Sequence, residues 1–298
     1  MNTILHGNAV DVLKTIDKNS IDMTITSPPY DNIRRYQGNV KEGVEYEGGF
    51  SFPFFEMVRE LYRVTKKGGV VVWVVGDQVK NGGETGSSFK QALGFQEVGF
   101  KIYDTMIYQK NSASFPETGR YSQSFEYMFV LSKGKPKTVN LLRDKENRWA
   151  GAQNFGKTSQ KDADGNITQG GSFTVAEYGT RTNIWYVING YGYNTKDKYA
   201  HQHPAIFPES MVEDHILSWS NEGDVILDPM CGSGTTLKMA KLNNRNYVGI
   251  DIVEDYIQLS ERRVEGVEPY TNDKPNPKMK FVVSREEMLE KRKKKQKV

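Results

Sequence analysis

Apolar residues along this chain recur at two spacings, one typical of strands and one typical of helices. Residues 52–64 carry apolar side chains at roughly helical intervals, and the following Lys66-Lys67-Gly68-Gly69 predicts the end of a helix. Residues 70–75 form a β-branched run broken only by Trp73, which predicts a central strand buried on both faces.

Strands and helices alternate through most of the chain. The predicted strands are residues 3–6, 21–26, 70–75, 101–108, 125–131, 225–227 and 247–252, and the predicted helices are residues 9–16, 52–64, 91–98, 208–218, 235–242 and 254–264. Strands 101–108 and 125–131 are expected near the edge of the sheet. The alternation predicts an α/β fold with a doubly wound, mostly parallel, seven-stranded sheet that helices cover on both faces.

The regular pattern stops between residues 134 and 200, where Gly, Asn, Thr, Lys and aromatic residues dominate and residues 162–166 predict a turn. A segment this long is better explained as an insertion or small subdomain than as a simple connection. The final stretch holds three prolines and a basic run at 291–295, which predicts a poorly ordered basic tail. We therefore divide the chain into residues 1–133, 134–200, 201–268 and 269–298.

Composition excludes several classes of protein. The chain has 298 residues, enough for one large α/β core with an insertion, and its net charge of +3 is nearly neutral. No apolar run is long enough to span a bilayer and no signal segment precedes the first strand, so we expect a cytoplasmic protein without a membrane partner. A single cysteine, Cys231, excludes an internal disulfide and a cysteine-based zinc cluster. His201 and His203 are better explained as turn or surface histidines than as ligands, so no metal site is predicted.

One segment near the C-terminus, Asp-Pro-Met-Cys-Gly-Ser-Gly-Thr-Thr at 228–236, joins a predicted strand to a predicted helix. Glycines in such a turn let the backbone approach a ligand closely. The segment lacks the Gly-Lys-Ser/Thr of a phosphate-binding P-loop, since the first lysine after it is Lys238. Asp251 ends the next strand roughly 20 residues further on, where an acid is well placed to accept both ribose hydroxyls of a nucleotide-like ligand. Capping of the helix at 254–264 is the alternative role for Asp251, but its spacing from the loop favours the ribose role.

A second segment, Thr26-Ser27-Pro28-Pro29-Tyr30, ends a predicted strand near the N-terminus. Proline fixes its own φ angle and has no backbone N–H, so the oxygen atoms around Ser27 and Pro28 are held rigidly without competing donors. The Ser27 hydroxyl and the Pro28 carbonyl therefore suit an amine. In a doubly wound sheet this strand opens on the same edge as residues 228–236 and Asp251. Taken alone, the segment is equally consistent with a proline-rich turn.

Read together, the two segments resemble those of S-adenosylmethionine-dependent DNA amino-methyltransferases of the β group, in which the catalytic motif precedes the cofactor motif. The resemblance covers residues 3–132 and 201–264. It implies a circularly permuted, Rossmann-like methyltransferase fold, with the insertion at 134–200 as the target-recognition region. Basic and aromatic residues in and beside the insertion, Arg148, Trp149, Arg181 and Tyr193 among them, suit contact with phosphates and bases.

The resemblance also implies the residue roles. The catalytic residues would be Ser27, Pro28, Pro29 and Tyr30, with Tyr30 stacking on a base that has been rotated out of duplex DNA. The residues that bind S-adenosylmethionine would be Asn8, Phe207, Pro208, Ser210, Asp228, Pro229, Cys231, Gly232, Ser233, Gly234, Thr235, Thr236, Asp251 and Ile252. Two positions depart from the family pattern, because relatives usually carry Asp at Asn8 and many carry Lys-Pro at Phe207-Pro208. Asn8 would also serve as an ordinary helix N-cap.

The reaction and its product follow from these roles. Methylation at cytosine carbon needs an attacking thiolate, and Cys231 lies inside the 228–236 segment, where it is best explained as a small packing residue. The product is therefore N4-methylcytosine or N6-methyladenine. In the family, a serine before Pro-Pro-Tyr leans toward cytosine, so cytosine is favoured and adenine is the alternative.

Two other functions are weighed against this one. A glutamine methyltransferase also uses Pro-Pro-Tyr, but there the cofactor segment comes first and Asn usually stands where Ser27 stands here. A DNA-binding protein that has lost catalysis would retain the fold without turnover. The expected partner is double-stranded DNA, while a homodimer and a cognate restriction endonuclease both stay open.

Overall fold

The computed structural model describes residues 2–28, 46–47, 50, 52–111, 119–154, 159–162, 164–169 and 172–295. Eight strands form its main sheet: β1 (Asn2–His6), β2 (Ile21–Thr26), β3 (Thr65–Val75), β4 (Lys101–Lys110), β5 (Phe125–Ser132), β6 (Ile184–Val187), β7 (Val225–Asp228) and β8 (Asn246–Asp251). The order across the sheet is β1-β8-β7-β2-β3-β5-β4-β6. Only β5 runs antiparallel to its neighbours β3 and β4, so the prediction of a mostly parallel α/β sheet is confirmed.

The prediction of seven strands was wrong, because the described sheet has eight. The additional strand, β6, lies inside the region assigned to the insertion and pairs parallel with β4 at the sheet edge. Only Trp185 of its four residues is buried. A short edge strand with one buried side chain carries almost no periodic signal, which is why sequence patterning missed it.

Helices cover both faces of the sheet. They are α1 (Ala9–Thr15), α2 (Phe54–Val64), α3 (Ser87–Val98), α4 (Glu209–Trp219), α5 (Thr235–Leu242) and α6 (Glu254–Glu265), with 3-10 turns at Lys198–Gln202 and Pro277–Phe281. Helices α1 to α3 pack on the face that carries Trp73 of β3. Helix α4 lies on the other face, where His215 contacts Met128, the pairing partner of Val74.

The centre of the core is β3. All its residues from Gly69 to Val75 are buried, which confirms the predicted central strand. The indole of Trp73 packs edge-on against Phe54 of α2 and Phe95 of α3, and its Nε1 donates a hydrogen bond of 2.7 Å to Oε1 of Gln91. The helix α3 therefore attaches to the sheet by a buried polar contact as well as by apolar packing.

The chain divides into two compact units. Unit 1 contains Met1–Asn140 and Asn183–Met279, including the whole main sheet; in it Val79–Lys80 and Gly83–Glu84 form a short hairpin. Unit 2 contains Leu141–Thr182 and Lys280–Val298. Its short paired strands are Asn140–Leu142 with Val282–Ser284, Lys145–Glu146 with Tyr178–Gly179, Gln153–Asn154 with Phe173–Thr174, and Ser159–Lys161 with Ile167–Gln169.

The expected poorly ordered tail was also wrong for the residues described. Val282–Ser284 forms a strand and Arg285–Lys295 forms a helix, α7. Glu, Leu, Met, Lys and Arg are good helix formers, and acidic residues in the first turn with basic residues beyond favour the helix dipole. In the sequence pattern, the basic run at 291–295 obscures these local preferences for a helix.

Two asparagines on unit 1 mark the points where the chain leaves for unit 2 and returns. The side-chain amide of Asn140 donates to the carbonyls of Leu217 and Ser220 near the end of α4, at 3.2 and 3.3 Å. Asn183 donates from its side chain to the carbonyl of Thr105 at 3.0 Å and accepts from the backbone N–H of Ile107 at 2.8 Å. The two residues that flank 141–182 are therefore each hydrogen-bonded within unit 1.

Within the described residues, no helix is long and apolar enough to cross a membrane.

The contact between Trp73 and Gln91 yields a stability prediction. Trp73→Phe keeps an aromatic ring but removes the N–H donor, leaving Gln91 with an unsatisfied buried oxygen, so we expect a loss of about 1–3 kcal/mol in the free energy of unfolding. The double variant W73F/Q91L also replaces the buried amide of Gln91 by an apolar side chain, so part of the lost free energy of unfolding should be recovered. Urea unfolding of the wild type, both single variants and the double variant measures this. A double variant at least as unstable as the sum of the singles would contradict the proposed contact.

Candidate functional site

The carboxyl ends of β2, β7 and β8 meet at one edge of the sheet, since these strands are neighbours and parallel. Ser27 follows β2, Asp228 ends β7 and Asp251 ends β8. All three line one cavity of about 500 Å³. The two sequence segments, far apart in the chain, are thus brought together as predicted.

Asp228 joins the two segments directly. Its Oδ1 accepts a hydrogen bond of 2.7 Å from the hydroxyl of Thr26, and its Oδ2 accepts one of 2.7 Å from the hydroxyl of Thr236. The backbone N–H of Met230 donates to Oδ1 at 3.2 Å. Burial raises the pKa of Asp228 to about 6, although these three hydrogen bonds favour the carboxylate. Asp228 therefore holds the 228–236 loop and the end of β2 in one arrangement.

The two glycines of the loop have a packing reason. Gly232 and Gly234 have φ angles of +49° and +75°, in the left-handed region that favours glycine. A Cβ atom on Gly232 would lie 2.6 Å from the ring of His203, and one on Gly234 would lie 2.7 Å from the hydroxyl of Ser260 in α6. Larger residues would therefore push the loop away from both neighbours.

Asp251 holds the other side of the loop. Its Oδ2 accepts from the backbone N–H of Gly232 at 2.8 Å, and its Oδ1 accepts from the N–H of Val253 at 2.9 Å. Burial raises the pKa of Asp251, while these backbone donors oppose the rise. Each carboxylate oxygen has a second lone pair, so the group retains acceptor capacity beside the cavity. The bond to Val253 is not a helix cap, because Val253 is itself the N-cap residue of α6 and the start of that helix has no side-chain cap hydrogen bond.

Matches to known proteins show the family of this chain. A model described as DNA methylase matches residues 21–262. The chain belongs to the DNA methylase family. It is 53% identical over 247 residues to the orphan methyltransferase M.BamHII of Bacillus amyloliquefaciens, covering 83% of this chain and 89% of the relative.

Solved structures agree with the fold of this family. The PvuII DNA methyltransferase, described as cytosine-N4-specific, matches with a TM-score of 0.59 and 18% identity, covering 94% of this chain and 89% of that one. The M1.HpyAVI-SAM complex matches with a TM-score of 0.54 and 20% identity, covering 89% of this chain and all of that one (100%). The chain thus has the Rossmann-like architecture of these methyltransferases.

Most residues that the sequence assigned to a methylase site line the cavity. They are Asn8, Ser27, Phe207, Pro208, Asp228, Pro229, Cys231, Gly232, Ser233, Thr235, Asp251 and Ile252. Pro28, Ser210, Gly234 and Thr236 do not line it. Pro28 is buried, and the carbonyl of Ser210 on α4 accepts a hydrogen bond from Lys278. Pro29 and Tyr30 lie outside the described residues.

Asn8 and Cys231 each have the structural role that the sequence offered as an alternative to ligand contact. Asn8 is the N-cap of α1, and its side chain accepts from the backbone N–H of Val10 at 2.9 Å. Cys231 is buried with its sulfur 3.8 Å from the hydroxyl of Ser260, and burial raises the pKa of its thiol well above the ordinary value. A protonated, buried thiol is not a nucleophile, which supports the packing interpretation of Cys231.

Several residues that line the cavity were not predicted from the sequence to belong to the site. His203 is buried and packs edge-on against Tyr256 of α6 at a centroid distance of 4.5 Å, so it is more than a surface histidine. Tyr191 lies against His201 with ring centroids 4.4 Å apart. Tyr108, Lys110, Glu126, Asn189 and Asn194 also line the cavity. They come from β4, β5 and the chain after β6, and no local motif marks them.

Within the described residues, no group of three or more His, Cys, Asp or Glu side chains is arranged to hold a metal ion.

The buried carboxyl of Asp228 makes stability depend on pH. Its folded pKa of about 6 lies above the ordinary 3.8, so its contribution to the free energy of unfolding is fully present below about 3.8 and is lost as the pH rises through 6. Asp228→Asn removes this titration. From about pH 5 to about pH 7.5 we expect the wild type to lose stability relative to D228N, by on the order of 1 kcal/mol.

Urea unfolding of both proteins at the two pH values measures this change, because groups common to both cancel in the difference. A stability difference that does not vary with pH would contradict the raised pKa of Asp228.

Proposed function

We propose that this chain transfers a methyl group from S-adenosylmethionine to the exocyclic amine of a base rotated out of duplex DNA, with N4-methylcytosine as the favoured product. The observation that carries the proposal is the carboxylate of Asp228, which is hydrogen-bonded by Thr26 and Thr236 and so holds the amine-binding and cofactor-binding segments at one cavity. Membership of the DNA methylase family supports the reaction class.

The residues around the cavity fit S-adenosylmethionine. Asp251 has acceptor capacity for ribose hydroxyls beyond its two backbone donors. Asn8 would contact the adenine, and Phe207 with Pro208 would pack against the methionine end. When bound, S-adenosylmethionine would supply an electrophilic methyl group at its sulfonium. M1.HpyAVI, which shares this fold, has been solved as a complex with it.

The chain's own residues would orient the amine. Ser27 is half-buried at the cavity wall, and Pro28 follows it with no N–H of its own. We infer that the Ser27 hydroxyl accepts a hydrogen bond from one amine hydrogen, favouring a tetrahedral nitrogen with an available lone pair. The Pro28 carbonyl, expected to accept from the other hydrogen, belongs to a residue that is buried and does not line the cavity. Tyr30 would stack on the base. Asp228 positions both segments here, because its Oδ1 accepts from Thr26 and Met230 and its Oδ2 accepts from Thr236.

The favoured base rests on Ser27, since an aspartate or asparagine at this position leans toward adenine in the family. N6-methyladenine is therefore the alternative product. The 53% identical relative is named an orphan methyltransferase, which favours a chain that acts without a paired restriction endonuclease. A homodimer remains a prediction.

Expression in a host that lacks DNA methylation tests the reaction and the base together. Sequencing that detects modified bases should find N4-methylcytosine in one sequence context. N6-methyladenine instead would establish the alternative, and unmodified DNA from a host that contains folded protein would contradict the proposed function.

The matched variants for this experiment lie at opposite ends of β2. Ser27→Ala removes one acceptor for the amine and should lower the methylation rate by about 10- to 100-fold, the effect of losing one hydrogen bond of about 1–3 kcal/mol. Ser20→Ala removes a hydroxyl that bonds only to the carbonyl of Asp17 before the strand, and it should retain the wild-type rate. Equal rates for both variants would exclude Ser27 from amine binding.

We further propose that unit 2 contacts the DNA. The insertion at 134–200 was expected to recognise the target, and most of it belongs to unit 2 together with the basic end of α7. Phosphate contacts by lysine release counterions and make binding depend on salt. The charge run of α7 is therefore proposed to add affinity without base specificity.

The salt dependence of DNA binding tests this role. The triple variant K291Q/K293Q/K294Q should reduce the slope of log binding constant against log salt by up to about 2.7, from about 0.9 for each lost phosphate contact. The control K14Q/K18Q/K67Q removes equal charge from three exposed lysines of unit 1 and should leave the slope unchanged. Equal slopes for the wild type and the α7 variant would overturn the proposal.

A further inference from the structure

The buried arginine Arg263 of α6 is hydrogen-bonded to the 228–236 loop. Its Nη1 donates to the carbonyl of Ser233 at 2.8 Å, to the Ser233 hydroxyl at 3.1 Å and to the hydroxyl of Thr235 at 2.9 Å. One turn earlier on α6, the hydroxyl of Ser260 donates to the carbonyl of Gly232 at 2.8 Å. One face of α6 therefore fixes two successive carbonyls of the loop.

The same guanidinium also holds the chain just before and at the start of α4, which we call the 195–209 segment. Its Nε donates to Asp197 at 3.1 Å, and its Nη2 donates to Glu209 at 2.7 Å and to the Thr195 hydroxyl at 3.2 Å. This segment carries His203, Phe207 and Pro208, which also line the cavity. Arg263 therefore hydrogen-bonds both the 228–236 loop and the 195–209 segment, although it does not itself line the cavity.

The charges around Arg263 are balanced. Lys238 of α5 contacts the same two carboxylates, at 2.8 Å from Asp197 and 2.8 Å from Glu209. Arg263 is 1% exposed, and burial of such ions costs several kcal/mol unless geometry and hydrogen bonding are good. Apolar residues of similar volume would often serve stability as well, so stability alone explains this cluster poorly.

We propose that Arg263 is a positioning residue for cofactor binding, which sets the separation between the 228–236 loop and the 195–209 segment. Arg263 does not line the cavity, so it acts through Ser233, Thr235 and Glu209 without touching the ligand. The inference rests on the proposed binding of S-adenosylmethionine at this cavity.

Lysine at position 263 tests the geometry while it retains the charge. A guanidinium offers five N–H donors in a rigid fork, whereas an ammonium offers three from one nitrogen and cannot hold both walls together. We expect Arg263→Lys to weaken S-adenosylmethionine binding about tenfold or more, by the loss of charge-assisted hydrogen bonds. Calorimetric titration with S-adenosylmethionine and with S-adenosylhomocysteine measures this without turnover, and the KM for cofactor should rise with little change in kcat.

Arg245 provides the matched control. It is also buried, and it donates to the Ser220 carbonyl, the Ser220 hydroxyl and the Asn243 carbonyl, away from the cavity. Arg245→Lys should lower the melting temperature as Arg263→Lys does but leave the dissociation constant for S-adenosylmethionine unchanged. If both variants weaken binding equally, the effect on the cofactor is one of general stability and the proposal fails.

A milder variant keeps the test valid if R263K does not fold. Thr195→Val is nearly isosteric and removes a buried hydroxyl that accepts from Arg263 and donates to Glu209 at 2.6 Å. It should weaken cofactor binding about threefold or more with the fold intact. Wild-type affinity in folded R263K or in T195V overturns the role of Arg263, whereas a wild type that binds no S-adenosylmethionine overturns the proposed function itself.

Discussion

The contact between Asp228 and the hydroxyls of Thr26 and Thr236 is the constraint on which the site depends. Thr26 and Asp228 are 202 positions apart, yet a hydrogen bond of 2.7 Å fixes their distance. Because the strands that carry them are adjacent and parallel, neither segment can shift along the sheet without breaking this buried contact. A buried carboxyl without its donors would be strongly destabilising, so the arrangement is retained even though burial alone opposes the charge.

The loop that Asp228 begins is held from three further directions. Asp251 accepts a hydrogen bond from the N–H of Gly232. Ser260 and Arg263 of α6 donate to the carbonyls of Gly232 and Ser233. The ring of His203 lies against Gly232. These side chains are buried and come from β8, α6 and the chain before α4. The loop is therefore preorganised both by side chains that line the cavity, Asp251 and His203, and by two that do not, Ser260 and Arg263.

The sequence was sufficient to predict the elements and the edge at which the site forms, because buried strands and amphipathic helices have strong periodicity. Trp73 in its β-branched run and the motifs around Ser27 and Asp228 are examples. Arg263 could not be predicted, since an arginine in a charged helix looks exposed until its distant partners Asp197 and Glu209 are placed beside it. The edge strand around Trp185 was not predicted for a related reason. Its pairing with β4 is a tertiary contact, and tertiary contacts override weak local preferences.

Asn140 and Asn183 have a consequence for how such proteins diversify. Asn140 and Asn183, which flank residues 141–182, are each hydrogen-bonded within unit 1, and the free energy of closing a longer loop between fixed ends rises only slowly with its length. The segment between them can therefore lengthen, shorten or be exchanged while the sheet retains its register. Under the proposed role of unit 2 in DNA contact, such changes would alter which DNA sequence is modified without rebuilding the machinery that modifies it.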